Sequence, residues 1–429
     1  MNAYELIIYR GLREDETFAQ LSRVIDHYEE MDQTEVGTLV FDGIAGLVET
    51  AQKRGFKGNL WHVYIAYLLT SDENSYSKFC EKKGTMEGSI GQLLKHDMEI
   101  IKHYIDFDWS KVEEYIGTPF VALFSDFAPA QARGIIFHEL LRERMNSMAV
   151  SMADATVDEI SQIITDFYGD YGVGKFGLHK AFRVVNDGNG AEIVPIINSS
   201  NVQLEDLVGY EMQKQQLVDN TESFVAGKKA NNCLLYGESG TGKSTSIKAI
   251  LNRYYKDGLR IIEIYKHQFK DLNSVIAQIK DRNYKFIIYM DDLSFEETEL
   301  DYKYLKAVIE GGLEIKPDNV LIYATSNRRH LVRETWKDQR VMGEDLHNND
   351  SKQEKLSLFA RFGVTIYYSS PAKKEFLNIV HTLAEREGVN LPKEQIEQAA
   401  IRWELTHGGF SGRAAEQVIT HLKGTMAEE

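Results

Sequence analysis

Apolar side chains recur every three or four positions through the first 170 residues of the chain. The spacing is clear in "FAQLSRVIDHYEEM", residues 18–31, and in "GSIGQLLKHDMEIIKHYI", residues 88–105. It places the apolar side chains on one face of a helix. The same spacing continues near 36–53, 59–83, 131–151 and 156–168. We therefore expect a bundle of about six helices.

A change of pattern follows near residue 176. Within "HKAFRVVNDGNGAEIVPI", residues 179–196, two β-prone runs flank the sequence Asn-Asp-Gly-Asn-Gly. Such a sequence favours a tight turn between two antiparallel strands. Pro195 and the polar residues after it indicate a boundary near 197–203. We therefore predict a hairpin and linker over residues 176–203.

Beyond residue 204, short apolar runs alternate with helical patterns. Five runs predict strands, at 232–237, 260–266, 286–292, 320–326 and 364–370. Helical patterns lie between them, near 243–256, 272–281, 300–312 and 352–361. This alternation is typical of a parallel sheet covered by helices on both faces.

After Pro371 the pattern is helical only, near 372–387, 392–406 and 411–423, which predicts a small helical lid. The predicted domains are a mostly helical N-terminal domain, the hairpin and linker, an α/β domain and the lid, at 1–175, 176–203, 204–371 and 372–429.

Composition favours an ordinary soluble globular protein, with 43% hydrophobic and 27% charged residues. Cys80 and Cys233 are the two cysteines and lie far apart, which excludes a disulfide framework and fits a reducing compartment. The most apolar stretch, 60–69, is far shorter than the roughly 20 residues of a membrane-spanning helix. The first residues do not have the pattern of a signal peptide. We therefore expect a cytoplasmic protein with no membrane association.

A glycine-rich loop lies between a predicted strand and a predicted helix. Residues 237–244, "GESGTGKS", fit the pattern G-x-x-x-x-G-K-[ST]. Glycines allow the backbone N–H groups to turn towards phosphate oxygens, and the following helix adds the positive end of its dipole. In such a loop Lys243 contacts the β- and γ-phosphates and the Ser244 hydroxyl binds Mg²⁺. The loop therefore predicts binding of ATP and Mg²⁺.

Two aspartates end a predicted strand in "KFIIYMDDLSF". Side chains at this place emerge at the carboxyl ends of the strands, where ligands of α/β sheets bind. Asp291 fits the residue that holds magnesium, and Asp292 fits the residue that polarises the attacking water. An aspartate pair after a strand is otherwise a common helix cap or turn, but its place after the glycine-rich loop favours the functional interpretation.

The region from about 204 to 423 resembles an AAA+ ATPase module, a P-loop NTPase. The resemblance rests on five segments of the sequence: "LEDLVGYEMQKQQLVDNTESFVAGKKANNCLLYGESGTGKSTSIKAIL", "FIIYMDDLSF", "VLIYATSNRRHL", "KLSLFARFGVTIYYSSP" and "GGFSGRAAEQVI". The whole chain is most similar to a bacterial AAA+ family catalogued as domain of unknown function 815. The resemblance implies an α/β P-loop fold with a helical lid.

The resemblance also implies roles for individual residues. Asn327 matches the first sensor, which hydrogen-bonds the γ-phosphate or the attacking water. Arg361 matches the arginine finger, which reaches the nucleotide of a neighbouring subunit, and Arg413 matches the second sensor. Each has a plainer alternative: a turn residue for Asn327, a helix-end charge for Arg361 and a solvated first-turn residue for Arg413.

Other residues would hold the nucleotide. Val208 and Gly209 occupy the place where such modules admit adenine. The loop residues would hold the phosphates: Gly237, Glu238, Ser239, Gly240, Thr241, Gly242, Lys243, Ser244 and Thr245.

The aspartate pair departs from the AAA+ pattern, which has Asp-Glu. Asp292 is one methylene shorter than glutamate, so the attacking water must approach closer or a neighbour must help. Glu296 and Glu297 are near enough in sequence to help, although an exposed acidic turn is the plainer interpretation.

Three functions fit the sequence. The leading one is an ATPase that forms a homo-oligomer and remodels a protein bound by the N-terminal domain. The second is a DNA-associated ATPase similar to helicase loaders or transposition ATPases. Residues 1–200 carry 18 Lys and Arg against 31 Asp and Glu, and this acidic half disfavours nucleic acid. The third is a switch that binds ATP without hydrolysing it.

Overall fold

The computed structural model describes residues 1–83, 88–129, 139–186, 188, 190–197, 199–294, 301–310, 317–327 and 361–426. The chain divides into two compact units, Met1–His179 and Lys180–Glu429. Within the described residues, no helix combines the length and the apolar character that crossing a membrane requires.

The first unit is helical, as the apolar spacing predicts. Its described helices are α1 (Glu16–His27), α2 (Gln33–Arg54), α3 (Leu60–Ser71), α4 (Ser75–Lys83), α5 (Ser89–Ile105), α6 (Ser110–Ile116), α7 (Ala122–Ser125), α8 (Glu139–Ala153), α9 (Val157–Tyr171) and α10 (Gly174–Leu178). The predicted helix near 59–83 is two helices, because Asn74 accepts from the Ser77 backbone N–H at 2.8 Å and starts α4. Three of the shortest helices, α6, α7 and α10, were not predicted.

Polar side chains start several of these helices. Asp15 accepts a hydrogen bond from the Phe18 backbone N–H at 2.9 Å at the start of α1. Thr156 and Glu159 form a reciprocal capping box at the start of α9. Such caps satisfy N–H groups that have no partner inside the helix. Local sequence therefore fixes where these helices begin.

Among its described residues, the second unit contains a seven-stranded sheet. Its strands are β1 (Ala181–Asn186), β2 (Ala191–Pro195), β3 (Cys233–Gly237), β4 (Leu259–Glu263), β5 (Lys285–Met290), β6 (Val320–Ser326) and β7 (Val364–Tyr368). The order across the sheet is β2-β1-β4-β5-β6-β3-β7. The ladder from β1 to β7 is parallel, and β2 pairs antiparallel with β1. β1 and β2 thus form the predicted hairpin. β1 also pairs with β4, so the hairpin extends the parallel sheet on that side.

Four described helices belong to the α/β part of this unit, and the last three form the lid. They are α11 (Glu211–Val225), α12 (Lys243–Tyr254), α13 (Leu272–Ile279) and α14 (Asp301–Glu310), followed by α15 (Lys373–Arg386), α16 (Lys393–His407) and α17 (Gly412–Met426). The last three share a small core that includes Phe376, Val380 and Ala415. The predicted helix near 352–361 lies outside the described residues except for Arg361. The fold class is confirmed: an α/β P-loop sheet with a helical lid, preceded by a mostly helical region.

Sheet order decides where the site lies. β3 lies between β6 and β7, while the next strand in the chain, β4, lies beyond β5. The chain therefore leaves β3 through α12 and passes over two strands before it re-enters the sheet. Because β3, β5 and β6 are parallel, their carboxyl ends lie on the same side of the sheet. This is where α/β sheets bind their ligands.

Candidate functional site

The loop between β3 and α12 follows a path that requires glycine at its start. Gly237 has φ 133°, and a Cβ atom there would lie 2.0 Å from the Tyr368 carbonyl oxygen. The neighbouring Glu238 backbone N–H donates to the same oxygen at 3.0 Å. The loop is thereby joined to the end of β7. Gly240 and Gly242 also have positive φ, and α12 starts directly after Gly242.

Lys243 is the buried cation of this loop, with 6% of its surface exposed. Its Nζ donates to the carbonyl oxygens of Gly237 at 3.0 Å and Glu238 at 2.6 Å, and to Asn327 Oδ1 at 3.0 Å. Burial lowers its pKa, against the nearby carboxylates of Asp292, Glu238 and Asp291, which raise it. An ammonium group held this way is placed to contact phosphate oxygens, which are stronger acceptors than carbonyls.

Asp291 follows β5 and accepts hydrogen bonds from three hydroxyl groups. Its Oδ1 accepts from Ser244 Oγ at 2.7 Å, Tyr289 Oη at 2.7 Å and Thr325 Oγ1 at 2.6 Å. Burial raises the pKa of this carboxyl, but the hydrogen bonds outweigh burial and the pKa lies below its ordinary value. Asp291 is therefore an ionised acceptor at neutral pH.

Asp292 has the left-handed backbone φ of 49°. Its backbone N–H donates to Thr325 Oγ1 at 2.9 Å, and its Oδ1 accepts from Asn327 Nδ2 at 2.8 Å. Asn327 Oδ1 meanwhile accepts from Lys243. Because an ammonium can only donate and a carboxylate can only accept, these two partners fix which way the Asn327 amide points. Asn327 thus joins the cation of the loop to the second aspartate.

The lid closes one side of the site. The Arg413 backbone N–H donates to the Gly240 carbonyl oxygen at 3.2 Å, and Ser411 Oγ accepts from the Ala414 N–H at 3.1 Å. The Arg386 guanidinium donates to the carbonyl oxygens of Glu205 at 2.7 Å and Asp206 at 2.9 Å. The lid is therefore bonded both to the glycine-rich loop and to the segment before α11.

A cleft of about 820 Å³ lies between the loop, the aspartates and the lid. Most of the predicted site residues line it: Val208, Ser239, Gly240, Thr241, Gly242, Lys243, Ser244, Thr245, Asp291, Asp292, Asn327 and Arg413. Gly209, Gly237 and Glu238 are not among the described lining residues. Gly209 adjoins Val208 in the chain, and the carbonyl groups of the other two bind Lys243.

Arg361 is a fourth predicted site residue that is described but does not line this cleft. It lies three residues before the start of β7, whereas the loop joins the other end of that strand at Tyr368. The strand between them has a rise of about 3.3 Å per residue. Arg361 therefore lies at the opposite end of the edge strand from the loop of its own chain.

Several residues of this site are not among those that the sequence predicts. Tyr289 and Thr325 contact Asp291, and Arg386 lines the cleft. Alternation along a strand offers a signal for Tyr289, because residues two apart point to the same face. The same alternation offers a signal for Thr325, which lies two residues before the predicted Asn327. The sequence gives no comparable signal for Arg386, which comes from the lid. Glu296 and Glu297, the acids considered as helpers of Asp292, lie outside the described residues.

The oxygen atoms present suit Mg²⁺. Ser244 and Asp291 supply a hydroxyl and a carboxylate that already touch, and Mg²⁺ in nucleotide sites takes one or two such ligands together with phosphate oxygens. Among the described residues, no group of three or more His, Cys, Asp or Glu side chains could hold a metal. The hydroxyl and carboxylate present therefore fit a Mg²⁺ that phosphate oxygens also bind.

Comparisons with known proteins give one family. The family model described as "Protein of unknown function (DUF815)" matches residues 177–426. No curated protein matches the sequence.

Solved structures with weak overall similarity include a mutant of RuvB from Thermotoga maritima, with 16% identity, coverage of 53% of this chain and 66% of that chain, and a TM-score of 0.38. The T. maritima RuvB Holliday junction branch migration motor has 16% identity, 51% and 63% coverage and a TM-score of 0.34. The FIGL-1 AAA domain in complex with ADP has 15% identity, 54% and 76% coverage and a TM-score of 0.37. The match spans just under two thirds of the RuvB chains.

Proposed function

This chain belongs to the DUF815 family, and we propose that it is an AAA+ ATPase that binds ATP with Mg²⁺ and hydrolyses the γ-phosphate bond. The proposal rests on the Asn327 amide, which contacts the Lys243 ammonium at 3.0 Å and the Asp292 carboxylate at 2.8 Å. This single amide connects the Lys243 ammonium, which suits a phosphate, with the Asp292 carboxylate, which suits a water molecule. A loop that only bound an anion would not need the second contact.

Each residue then has a defined task. The backbone N–H groups of the loop and the start of α12 attract the phosphates. Lys243 exchanges its carbonyl and amide acceptors for phosphate oxygens. Ser244 and Asp291 would hold Mg²⁺, which neutralises charge on the phosphates when it is bound.

Asp292 is the proposed base for the attacking water. It orients the water and accepts its proton, and Asn327 keeps the Asp292 carboxylate directed towards the Lys243 side of the cleft. Arg413 approaches from the lid, where its guanidinium can offset negative charge.

Substitution of Lys243 tests nucleotide binding. ATP at about 100 times its dissociation constant adds roughly 2.7 kcal/mol to the free energy of unfolding, because it binds only the folded chain. We expect the wild type to show the corresponding rise in melting temperature and Lys243→Ala to lose most of it. Differential scanning fluorimetry with and without ATP·Mg²⁺ measures the difference.

Lys248→Ala is the matched control, because Lys248 is exposed on the same helix five residues later. It removes an equal charge and should keep the ATP-induced rise. Equal rises in all three proteins would show that the glycine-rich loop does not bind the nucleotide.

A finer proposal concerns what hydrolysis drives. We propose that a homo-oligomer of this chain uses it to remodel a protein bound by the helical N-terminal unit. Support for the oligomer comes from Arg361, which lies three residues before the edge strand β7, at the far end of that strand from the loop of its own chain.

A further inference from the structure

We propose that Thr325 is a positioning residue that sets both aspartates of the site with one hydroxyl group. The Thr325 hydroxyl donates to Asp291 Oδ1 at 2.6 Å and accepts from the Asp292 backbone N–H at 2.9 Å. This inference rests on the proposed ATPase function and adds a residue to it.

Strand register places Thr325 at this point. The ladder between β5 and β6 pairs Met290 with Ala324, so the next residue of β6 lies beside Asp291, where β5 has ended. Thr325 has 2% of its surface exposed, and its own carbonyl oxygen accepts from the Leu293 N–H at 2.7 Å. Thr325 is therefore bonded on both sides to the turn that carries the aspartates.

A hydroxyl group suits this place better than an amide or a carboxylate. It can donate one hydrogen bond and accept another at the same oxygen. The carboxylate of Asp291 needs a donor and the N–H of Asp292 needs an acceptor, and the Thr325 hydroxyl provides both. Valine, with the same shape, would provide neither.

The bond to the Asp292 backbone matters because Asp292 has φ 49°. Residues other than glycine seldom adopt this conformation, and it persists only where surrounding contacts impose it. The backbone conformation decides where the side chain points. Aspartate is one methylene shorter than the glutamate of the usual AAA+ pair. Whether the Asp292 carboxylate reaches the attacking water therefore depends more on the direction of its side chain. Thr325 thereby helps the shorter acid to act as the base.

Tyr289 provides an internal comparison. Its hydroxyl donates to the same Asp291 Oδ1 at 2.7 Å, but no described hydrogen bond joins it to Asp292. Loss of the Tyr289 hydroxyl therefore disturbs the first aspartate directly, whereas loss of the Thr325 hydroxyl disturbs both. The two substitutions should have different effects on metal dependence and on turnover.

The experiment compares Thr325→Val, Thr325→Ser and Tyr289→Phe in the full-length chain. Binding of a fluorescent ATP analogue is measured over a range of Mg²⁺ concentrations and in EDTA, and phosphate release is measured at saturating ATP and Mg²⁺. Loss of a residue that orients a metal ligand typically costs about 10–100-fold in metal affinity or activity. We expect such a loss of magnesium-dependent affinity in Thr325→Val and Tyr289→Phe. The kcat of Thr325→Val should fall by a larger factor than that of Tyr289→Phe, and Thr325→Ser should recover most of both quantities.

Tyr323→Phe is the control for loss of a buried hydroxyl group elsewhere on β6. Its hydroxyl accepts from Asn220 Nδ2 at 2.9 Å and contacts Thr221, away from the aspartates. We expect it to change the melting temperature and leave the magnesium dependence unaltered. Nucleotide binding in EDTA shows that each variant is folded.

The outcomes separate the two proposals. If the wild type binds no nucleotide, the ATPase function is wrong and the role of Thr325 is wrong with it. If the wild type binds and hydrolyses ATP while Thr325→Val matches it in magnesium dependence and kcat, the positioning role alone is wrong. Failure of Thr325→Ser to recover activity would likewise contradict a role for the hydroxyl group.

Discussion

Asp291 and Asp292 are adjacent in sequence but have different surroundings in the structure. Three hydroxyl groups converge on Oδ1 of Asp291 and hold its pKa below the ordinary value. Asp292 instead bonds to the Asn327 amide through its side chain and to Thr325 through its backbone. These environments favour a metal-holding role for Asp291 and a water-polarising role for Asp292.

Replacing each aspartate by asparagine tests this division of roles. Asp292→Asn should still bind ATP but lose turnover by about 10²–10⁴-fold, the usual contribution of a general base. Asp291→Asn should weaken the magnesium-dependent part of ATP affinity. Isothermal titration calorimetry and a phosphate-release assay measure the two effects. Unchanged turnover in Asp292→Asn would remove it as the base and make Glu296 and Glu297 the next candidates.

At the level of single elements, the glycine-rich loop depends on its contact with β7. Gly237→Ala would add a Cβ atom 2.0 Å from the Tyr368 carbonyl oxygen, at a backbone φ of 133°. Backbone atoms cannot turn aside as a flexible side chain can, so loop and strand must separate. We expect this variant to lose ATP binding and to lose more unfolding free energy than the roughly 1–2 kcal/mol that a left-handed backbone conformation alone costs.

Gly227→Ala is the matched control for Gly237→Ala. Gly227 has φ 74° and open space around its Cβ position, so alanine there costs about 1–2 kcal/mol for the backbone conformation only. Urea unfolding and ATP titration of both variants separate the two costs. Equal losses of stability and intact ATP binding in both would show that the contact with β7 is unimportant.

The elements themselves differ in how well the sequence predicts them. Strands β3 to β7 were predicted within three residues at each end, because buried parallel strands are continuous apolar runs. Helix α11 was missed because it is largely polar, and the buried side chains it contributes are Leu217, Val218, Thr221 and Phe224. The split between α3 and α4 was missed because the apolar spacing continues across the break.

At the scale of the whole molecule, activity of the proposed oligomer depends on Arg361 acting between subunits. An arginine supplied by a neighbour raises the rate of phosphoryl transfer by about 10³–10⁵-fold in other systems. Arg361→Ala should therefore bind ATP normally and hydrolyse it poorly. Lys243→Ala subunits are expected not to bind ATP but still to present Arg361 to a neighbour.

Mixing these two inactive variants should recover part of the activity. The recovered activity should rise with protein concentration, because it depends on hybrid interfaces, and phosphate release measured against total protein detects it. Light scattering or native mass spectrometry confirms that mixed oligomers form. Mixed oligomers that stay as inactive as their parents would show that Arg361 does not act between subunits.

The sequence by itself determined most of the longer elements and the types of side chain that meet at the proposed site. The loop at 237–244 can be recognised from local sequence alone, because its glycines allow the required backbone path and its lysine and serine supply the polar side chains. The aspartate pair was equally readable, because it follows directly on an apolar strand.

Only the tertiary structure decided which groups act together. Thr325 and Asp291 are 34 positions apart, and they meet because β6 pairs with β5 in one register rather than another. Arg386 and Arg413 reach the cleft because the lid folds back over the loop. Hydrophobic spacing encodes which face of an element is buried, but it does not encode the register between strands. Hydrogen bonds between side chains of different elements follow from that register, so they had to be seen in the folded chain.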